Sequence, residues 1–266
     1  MSRLAILCGG GQLPVALCAA HPDALRIGLE GVDHDVVGPV ETHSIEKLGG
    51  LFEALKSQGV TRLVMAGGLG RPALNPANFD AGMMAIAPRL LPALQEGDDA
   101  LLRLVIAIFE EQGIAVVGAH ELLEGLCAQE GLIAGPEPSA QALTDASKAA
   151  DILLALSPLD LGQGAVVAAG LCLGIETLQG TDALLRFVSE TPEALRRDKG
   201  VFLKAPKRGQ DLRVDMPAIG PNTVYAAAKA GVAGIVVSAN RVMILERDKT
   251  LAALQETGLF LLGRVI

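Results

Sequence analysis

The stretch Leu4-Ala-Ile-Leu-Cys-Gly-Gly-Gly-Gln-Leu-Pro14 opens this chain with a short apolar run, a glycine triplet and the start of a segment of helical character that continues to Ala20. Five consecutive apolar residues ended by glycine suit a strand buried on both faces, and the glycines let the backbone turn sharply into a helix. Strand, glycine turn and helix in that order open an α/β domain. The alternation recurs in looser form, with residues 51–58 helical, 61–66 extended, 100–112 helical and 114–117 extended. It predicts a parallel sheet covered by helices.

The segment Gly135-Pro-Glu-Pro-Ser139 interrupts this pattern, and two prolines around one acid read as a linker. The expected organisation is therefore a first domain over 1–134, a linker over 135–141 and a second domain over 142–266. In the second half, residues 164–169 and 171–175 form a hairpin pattern about Gly170, and 181–188 and 191–197 look helical. Residues 201–204 and 212–216 are further strand candidates. Asn222 or Thr223 is placed to cap a helix ending at Gly231. Short runs at 234–237 and 242–245 precede a helix capped near Asp248 and a last strand over 259–262. The second half is mixed α/β.

Composition narrows the function classes. The chain has 266 residues, enough for one large domain or two smaller ones. Its net charge of −8 and its seven aromatics, six Phe and one Tyr, give neither attraction for nor stacking on nucleic acid. Nucleic-acid binding is not expected. Cys8, Cys18, Cys127 and Cys172 lack metal-ligand or disulfide spacing and read as free thiols in a reducing compartment. No apolar run reaches the roughly 18 residues needed to span a bilayer, and the N-terminal run is too brief for a signal peptide. A cytoplasmic location is expected. The mean hydropathy of +0.42 suits either a tightly packed α/β core or a cavity for an apolar ligand.

The densest chemistry lies in Lys204-Ala-Pro-Lys-Arg-Gly-Gln-Asp-Leu-Arg-Val-Asp-Met216. If 210–216 is extended, Asp211, Arg213 and Asp215 share one face, with Leu212, Val214 and Met216 on the other. A divalent metal with a phosphate group would satisfy such a row, and so would pairing of the charges on a solvated edge strand. Gly9-Gly-Gly-Gln-Leu-Pro14 is comparable to a dinucleotide fingerprint, yet Pro14 stands at the third glycine position. Gly10, Gly11, Gln12 and Leu13 stay candidates for phosphate or sugar contact, against a merely tight turn. Gly68, Leu69 and Arg71 follow a strand, where the ligand crevice of a parallel sheet lies. Asp98 and Asp99 open a helix, as caps or as ligands of metal or water. His120 follows another strand, and Gln163, Thr181 and Asp182 sit at element ends.

In order and spacing, Gly9-Gly-Gly-Gln-Leu-Pro14, Gly97-Asp-Asp-Ala-Leu-Leu-Arg103, Gly118-Ala-His-Glu121, Asp160-Leu-Gly-Gln-Gly-Ala-Val-Val167, Gly180-Thr-Asp-Ala183, Lys204-Ala-Pro-Lys207 and Arg213-Val-Asp-Met-Pro-Ala-Ile-Gly220 resemble one family. It is the UDP-2,3-diacylglucosamine pyrophosphatase of lipid A synthesis that is distinct from the calcineurin-like phosphoesterases. The resemblance spans nearly the whole chain. It implies a Rossmann-like N-terminal domain, a mixed α/β C-terminal domain and a substrate held between them. It also implies a magnesium-dependent hydrolase yielding UMP and 2,3-diacylglucosamine 1-phosphate, with Asp215 essential. Residues 68–70 depart from the more polar loop expected there.

The expectations follow. Asp215, Asp211 and Arg213 carry catalysis, and Asp215 with Asp99 holds Mg2+. Gly10, Gly11, Gln12, Leu13, Gly68, Leu69, Arg71, Asp98, Asp99, His120, Gln163, Thr181, Asp182, Lys204 and Lys207 contact the nucleotide-sugar lipid. The lipid would bring contact with the inner membrane, and a homodimer is compatible with the residues without following from them. A nicotinamide-dependent oxidoreductase and a non-catalytic binder of nucleotide-sugar lipids are the competing readings.

Overall fold

In β1 (Arg3–Cys8) the residues Ala5, Ile6 and Cys8 are fully buried, which places the opening strand at the centre of its sheet rather than at an edge. This computed structural model describes residues 3–70, 74–96 and 98–266, with the side chains of 95, 96, 98 and 99 left undescribed. The chain divides into two units, Met1–Glu124 with Asp211–Asp215, and Gly125–Gln210 with Met216–Ile266.

In the first unit, β1 runs into α1 (Gln12–Ala20). It is followed by β2 (Leu25–Leu29), β3 (Glu41–His43), α2 (Leu48–Ser57), β4 (Val60–Ala66), α3 (Ala81–Glu96), α4 (Asp98–Glu111), β5 (Ala115–Val116) and α5 (Ala119–Leu122). The sheet order is β3-β2-β1-β4-β5 and every pairing is parallel. Strand order reverses at β1 and β4, the point where open α/β sheets place ligands beyond the strand carboxyl ends. Helix α3 contains Pro88 and Pro92, both exposed. Its other face buries Met83, Leu90 and Ala93 at helical spacing. Asp80 starts it by accepting from the Met83 N–H at 2.7 Å and also takes the Gly50 N–H of α2 at 3.0 Å.

The second unit contains β6 (Gly131–Ala134), α6 (Ala140–Leu156), β7 (Gly164–Ala168), β8 (Leu171–Ile175), α7 (Gly180–Ser189) and β9 (Val201–Lys204). It continues through β10 (Ala218–Ile219), α8 (Pro221–Lys229), β11 (Gly234–Ser238), β12 (Met243–Ile244), α9 (Arg247–Thr257) and β13 (Phe260–Arg264). Its main sheet has the order β6-β13-β11-β9-β7-β8, parallel at β13-β11-β9 and antiparallel elsewhere. Val166, Phe202, Ile235 and Val237 face α7, α8 and α9, while the alternate residues Ala165, Val167, Val201, Leu203 and Val236 face α6. Helix α6 presents Ala142, Ala146 and Ala149 to them, so small side chains let it lie close against the sheet.

Asp145 of α6 has no exposed surface, and its carboxylate accepts from Ala169 N–H at 2.8 Å and Gly170 N–H at 2.7 Å. Those two residues are the left-handed tip of the β7–β8 hairpin, with φ of 44° and 78°. Replacing Asp145 by alanine leaves both donors without that acceptor. It is expected to destabilise the second unit by about 3 kcal/mol in denaturant melts.

Most strands and helices fall where the periodicity predicts, β2, β3, β6, β10, α3, α5 and α6 have no counterpart in it, and four of its readings differ. Residues 212–216 form a turn, not a strand. Of residues 191–197, only Glu193–Leu195 make a short 3-10 turn, because Pro192 removes a donor just where a helix would start. Helix α8 begins at Gly220 with Pro221 in its first turn, ahead of Asn222, and Thr223 reaches back to the Gly220 N–H at 3.3 Å. The unit boundary falls at Glu124/Gly125, ahead of the expected 134/135. The reason is that β6 pairs with β13, so residues 131–134 belong to the second sheet, and Gly135–Ser139 is a tight connection into α6 capped by Ser139.

Candidate active site

The two glycine loops at the carboxyl ends of β1 and β4 are joined to each other. Gly10 N–H donates to Gly68 O at 2.9 Å, Gly68 N–H to Gly10 O at 3.0 Å and Gly9 N–H to Ala66 O at 2.8 Å. A side chain at Gly9 would stand 2.6 Å from Gly68 O, and one at Gly67 would stand 2.4 Å from Gly10 O. Close backbone approach therefore accounts for these glycines without a ligand. The Gly11 N–H meets the Asp35 carboxylate at 3.2 Å, ahead of the α1 N-terminus. Gln12 and Leu13 contribute first-turn N–H groups of α1, which no preceding helical carbonyl can accept. Leu69 turns inward onto the apolar core of the first unit.

The 211–215 turn is built around one guanidinium. Asp211 Oδ1 accepts from the Arg213 backbone N–H at 3.0 Å and from Arg213 Nε at 3.0 Å, while Oδ2 accepts from Nη2 at 2.7 Å. Arg213 Nη1 donates to Glu110 Oε1 at 2.7 Å and to Val116 O at 3.4 Å, tying the turn to the end of α4 and to β5. Val214 packs on the core of the first unit, and the Asp215 N–H donates to Asp211 O at 3.2 Å. The extended reading put Asp211 and Arg213 side by side on one strand face; a turn brings them together instead, through a local carboxylate to backbone bond.

The Arg213 hydrogen bonds hold the Asp211 carboxyl below the usual carboxylate range, against partial burial, and Asp211 in turn raises the guanidinium. A carboxylate so lowered adds stability that is present above its unfolded value near 4 and is lost as pH falls through the lower folded value. Asp211→Asn is therefore expected to melt about 1 kcal/mol below the parent chain at pH 7, a small effect for a pair open to solvent. The gap should narrow below about pH 4.

In the second unit, three of the expected residues gather around a fourth that the sequence does not flag. Lys204 ends β9 and is 7% exposed. Its ammonium donates to Thr181 Oγ1, and Thr181 Oγ1 lies 3.1 Å from Glu176 Oε2. Glu176, 8% exposed, also lies 3.8 Å from Lys204 Nζ. Gln163 joins the group by its main chain, accepting the Ala205 N–H at 2.9 Å. Lys207 pairs with Asp160 at 2.5 Å, and Gln210 closes the intervening loop by accepting the Lys207 N–H at 2.9 Å. Asp182 is exposed in the first turn of α7.

The comparisons with known proteins bear on both units. Family models described as LpxI N-terminal domain and LpxI C-terminal domain match residues 3–126 and 129–262. The chain belongs to the LpxI family. It is 39% identical over 274 aligned residues, 99% of its own length and 98% of the relative's, to a Caulobacter vibrioides protein named UDP-2,3-diacylglucosamine pyrophosphatase LpxI. A solved structure named CobK precorrin-6A reductase aligns over all of this chain and 89% of its own at 17% identity. Its TM-score is 0.31, too low to bear on fold or function.

In this LpxI family member His120 lies in α5, with its Nδ1 buried and, among the described residues, without a hydrogen-bonding partner. Arg71 lies outside the described residues, as do the side chains of Asp98 and Asp99. Among the described residues, no three His, Cys, Asp or Glu side chains come together to hold a metal. An apolar cavity of about 190 Å3 lies inside the first unit, lined by Leu29, Leu48, Phe52, Leu69, Leu94 and Val105 among others. Glu110 and Glu176 were not legible as site residues, since each is an acid at the end of an otherwise apolar element. Only their partners, distant in sequence, give them meaning.

Proposed function

We infer that this chain hydrolyses the pyrophosphate of UDP-2,3-diacylglucosamine to UMP and 2,3-diacylglucosamine 1-phosphate in lipid A biosynthesis. The observation that carries this reading is the 39% identity, across 99% of the chain, to a protein named for that activity. The residues supply suitable chemistry. Pyrophosphate hydrolysis requires neutralised phosphoryl oxygens and an oriented water. Lys204 and Lys207 carry positive charge suited to phosphate, and Asp215 is the essential carboxylate. Arg213, already engaged by Asp211 and Glu110, holds the turn that presents Asp215.

A magnesium ion fits a sparse donor set of this kind, because Mg2+ is commonly held by one or two carboxylates together with substrate phosphates. Asp215 with Asp99 would hold it, whereas both Asp211 oxygens already face Arg213. When bound, it would neutralise phosphate charge and acidify a bound water.

The apolar cavity of the first unit receives part of an acyl chain. At about 190 Å3 it exceeds the roughly 150 Å3 apolar cavity that takes up benzene, and each methylene buried there adds about 0.8 kcal/mol. Val105→Phe, which fills the cavity, is therefore expected to raise KM for the diacylated substrate about tenfold. An unchanged KM would remove the acyl assignment. The lipid also brings the chain to the inner membrane from the cytoplasm, and among the described residues no helix is long and apolar enough to cross it.

Incubation of the full chain with UDP-2,3-diacylglucosamine, with and without magnesium, tests substrate, reaction and metal together. UMP should appear only with the metal. No UMP in either condition would overturn the reading.

A further inference from the structure

We propose that Glu176 is the positioning residue of the second unit, setting Thr181 and Lys204 for a phosphate of the substrate; this rests on the pyrophosphatase reading. Three stretches far apart in sequence meet at this one carboxylate. Gly162 lies against the Glu176 main chain and Gly164 against its carboxylate, since a side chain at Gly162 would stand 2.3 Å from Glu176 O and one at Gly164 2.5 Å from Glu176 Oε2. The Glu176 N–H donates to Gly164 O at 2.7 Å. Thr181, in the first turn of α7, has its hydroxyl 3.1 Å from Oε2. Lys204, at the end of β9, donates to that same hydroxyl and lies 3.8 Å from the carboxylate.

The donor order follows from chemistry. An ammonium has no lone pair, so Lys204 gives a proton to Thr181 Oγ1, and the hydroxyl hydrogen is left to point at the carboxylate. Glu176 therefore fixes the hydroxyl rotor and, through it, the direction of one ammonium N–H. Burial makes this arrangement strict, because a charge in a nearly closed site is costly unless paired and hydrogen-bonded. A paired lysine held in one direction is a preorganised partner for a phosphate oxygen. The glycine at 164 leaves room for this carboxylate and for the Phe202 ring, and the glycine at 162 leaves room for the Glu176 main chain.

The test is a double-variant cycle on the full chain with UDP-2,3-diacylglucosamine and magnesium, reading UMP release per folded protein alongside thermal melting. Lys204→Met and Glu176→Gln are each expected to lower kcat/KM by about 10²-fold. The double variant should be no slower than Lys204→Met alone, because Glu176 acts only through that ammonium. Melting separates this from a purely structural role: Glu176→Gln removes the countercharge 3.8 Å from a buried ammonium and lowers the melting temperature, while the double variant recovers much of it. Recovered stability with activity still at the Lys204→Met level supports the proposal. Normal turnover by folded Glu176→Gln, or losses that multiply in the double variant, would overturn it alone. Absence of UMP from the parent chain would overturn the pyrophosphatase reading and this proposal with it.

Discussion

Asp215→Ala is expected to lower UMP release on the order of 10³-fold, the scale seen when one preorganised electrostatic stabiliser of a transition state is removed. The turn that carries Asp215 has several anchors in its neighbours. It is held by Asp211 and Arg213, by Val214 packed on the core, and by the Asp215 backbone N–H. Melting read alongside separates lost chemistry from lost fold, and affinity for the diacylated substrate should survive. Asp215→Asn separates charge from shape and should be nearly as slow. Turnover of either variant within tenfold of the parent would remove Asp215 from the chemistry.

The second large effect is on stability. Gly67→Ala meets two penalties at once: a φ of 84°, and a new methyl 2.4 Å from Gly10 O and 2.9 Å from the Gly9 carbonyl carbon. Backbone strain and overpacking each contribute roughly 1–3 kcal/mol, so a loss of about 4 kcal/mol is expected. For a unit of this size that lowers the melting temperature by about 15 °C. Gly70→Ala is the control, with a φ of 64° but, among the described residues, nothing within 4 Å of the added methyl, and should lose only about 1–2 kcal/mol. Equal losses in the two variants would show that the loops are not held together by backbone contact.

Both predictions concern residues that stood out in the sequence, though for partly different reasons. The glycines after β1 were legible as a sharp turn, and their comparison with a phosphate cradle was reasonable from the fingerprint. The structure spends the Gly9 and Gly10 N–H groups on Ala66 and Gly68 and gives that of Gly11 to Asp35. Proline-containing α3 was not legible, because two prolines argue against a helix by propensity. A cap at Asp80 and an apolar face on the side away from the prolines outweigh that. The 211–215 segment alternates like a strand, yet the Asp211 side chain bonds the main chain two residues on and makes a turn.

What the sequence determined by itself is local or periodic. Buried runs, glycine breaks and helical spacing place most of the strands and helices, and the motif order points to the family, because these signals need only neighbours in the chain. The partners of the site residues were decided by tertiary structure alone. Glu110 with Arg213, and Glu176 with Thr181 and Lys204, are charge and hydrogen-bond pairings across 103, 5 and 28 positions, and a carboxylate shows no sign of its partner until folding brings the two together.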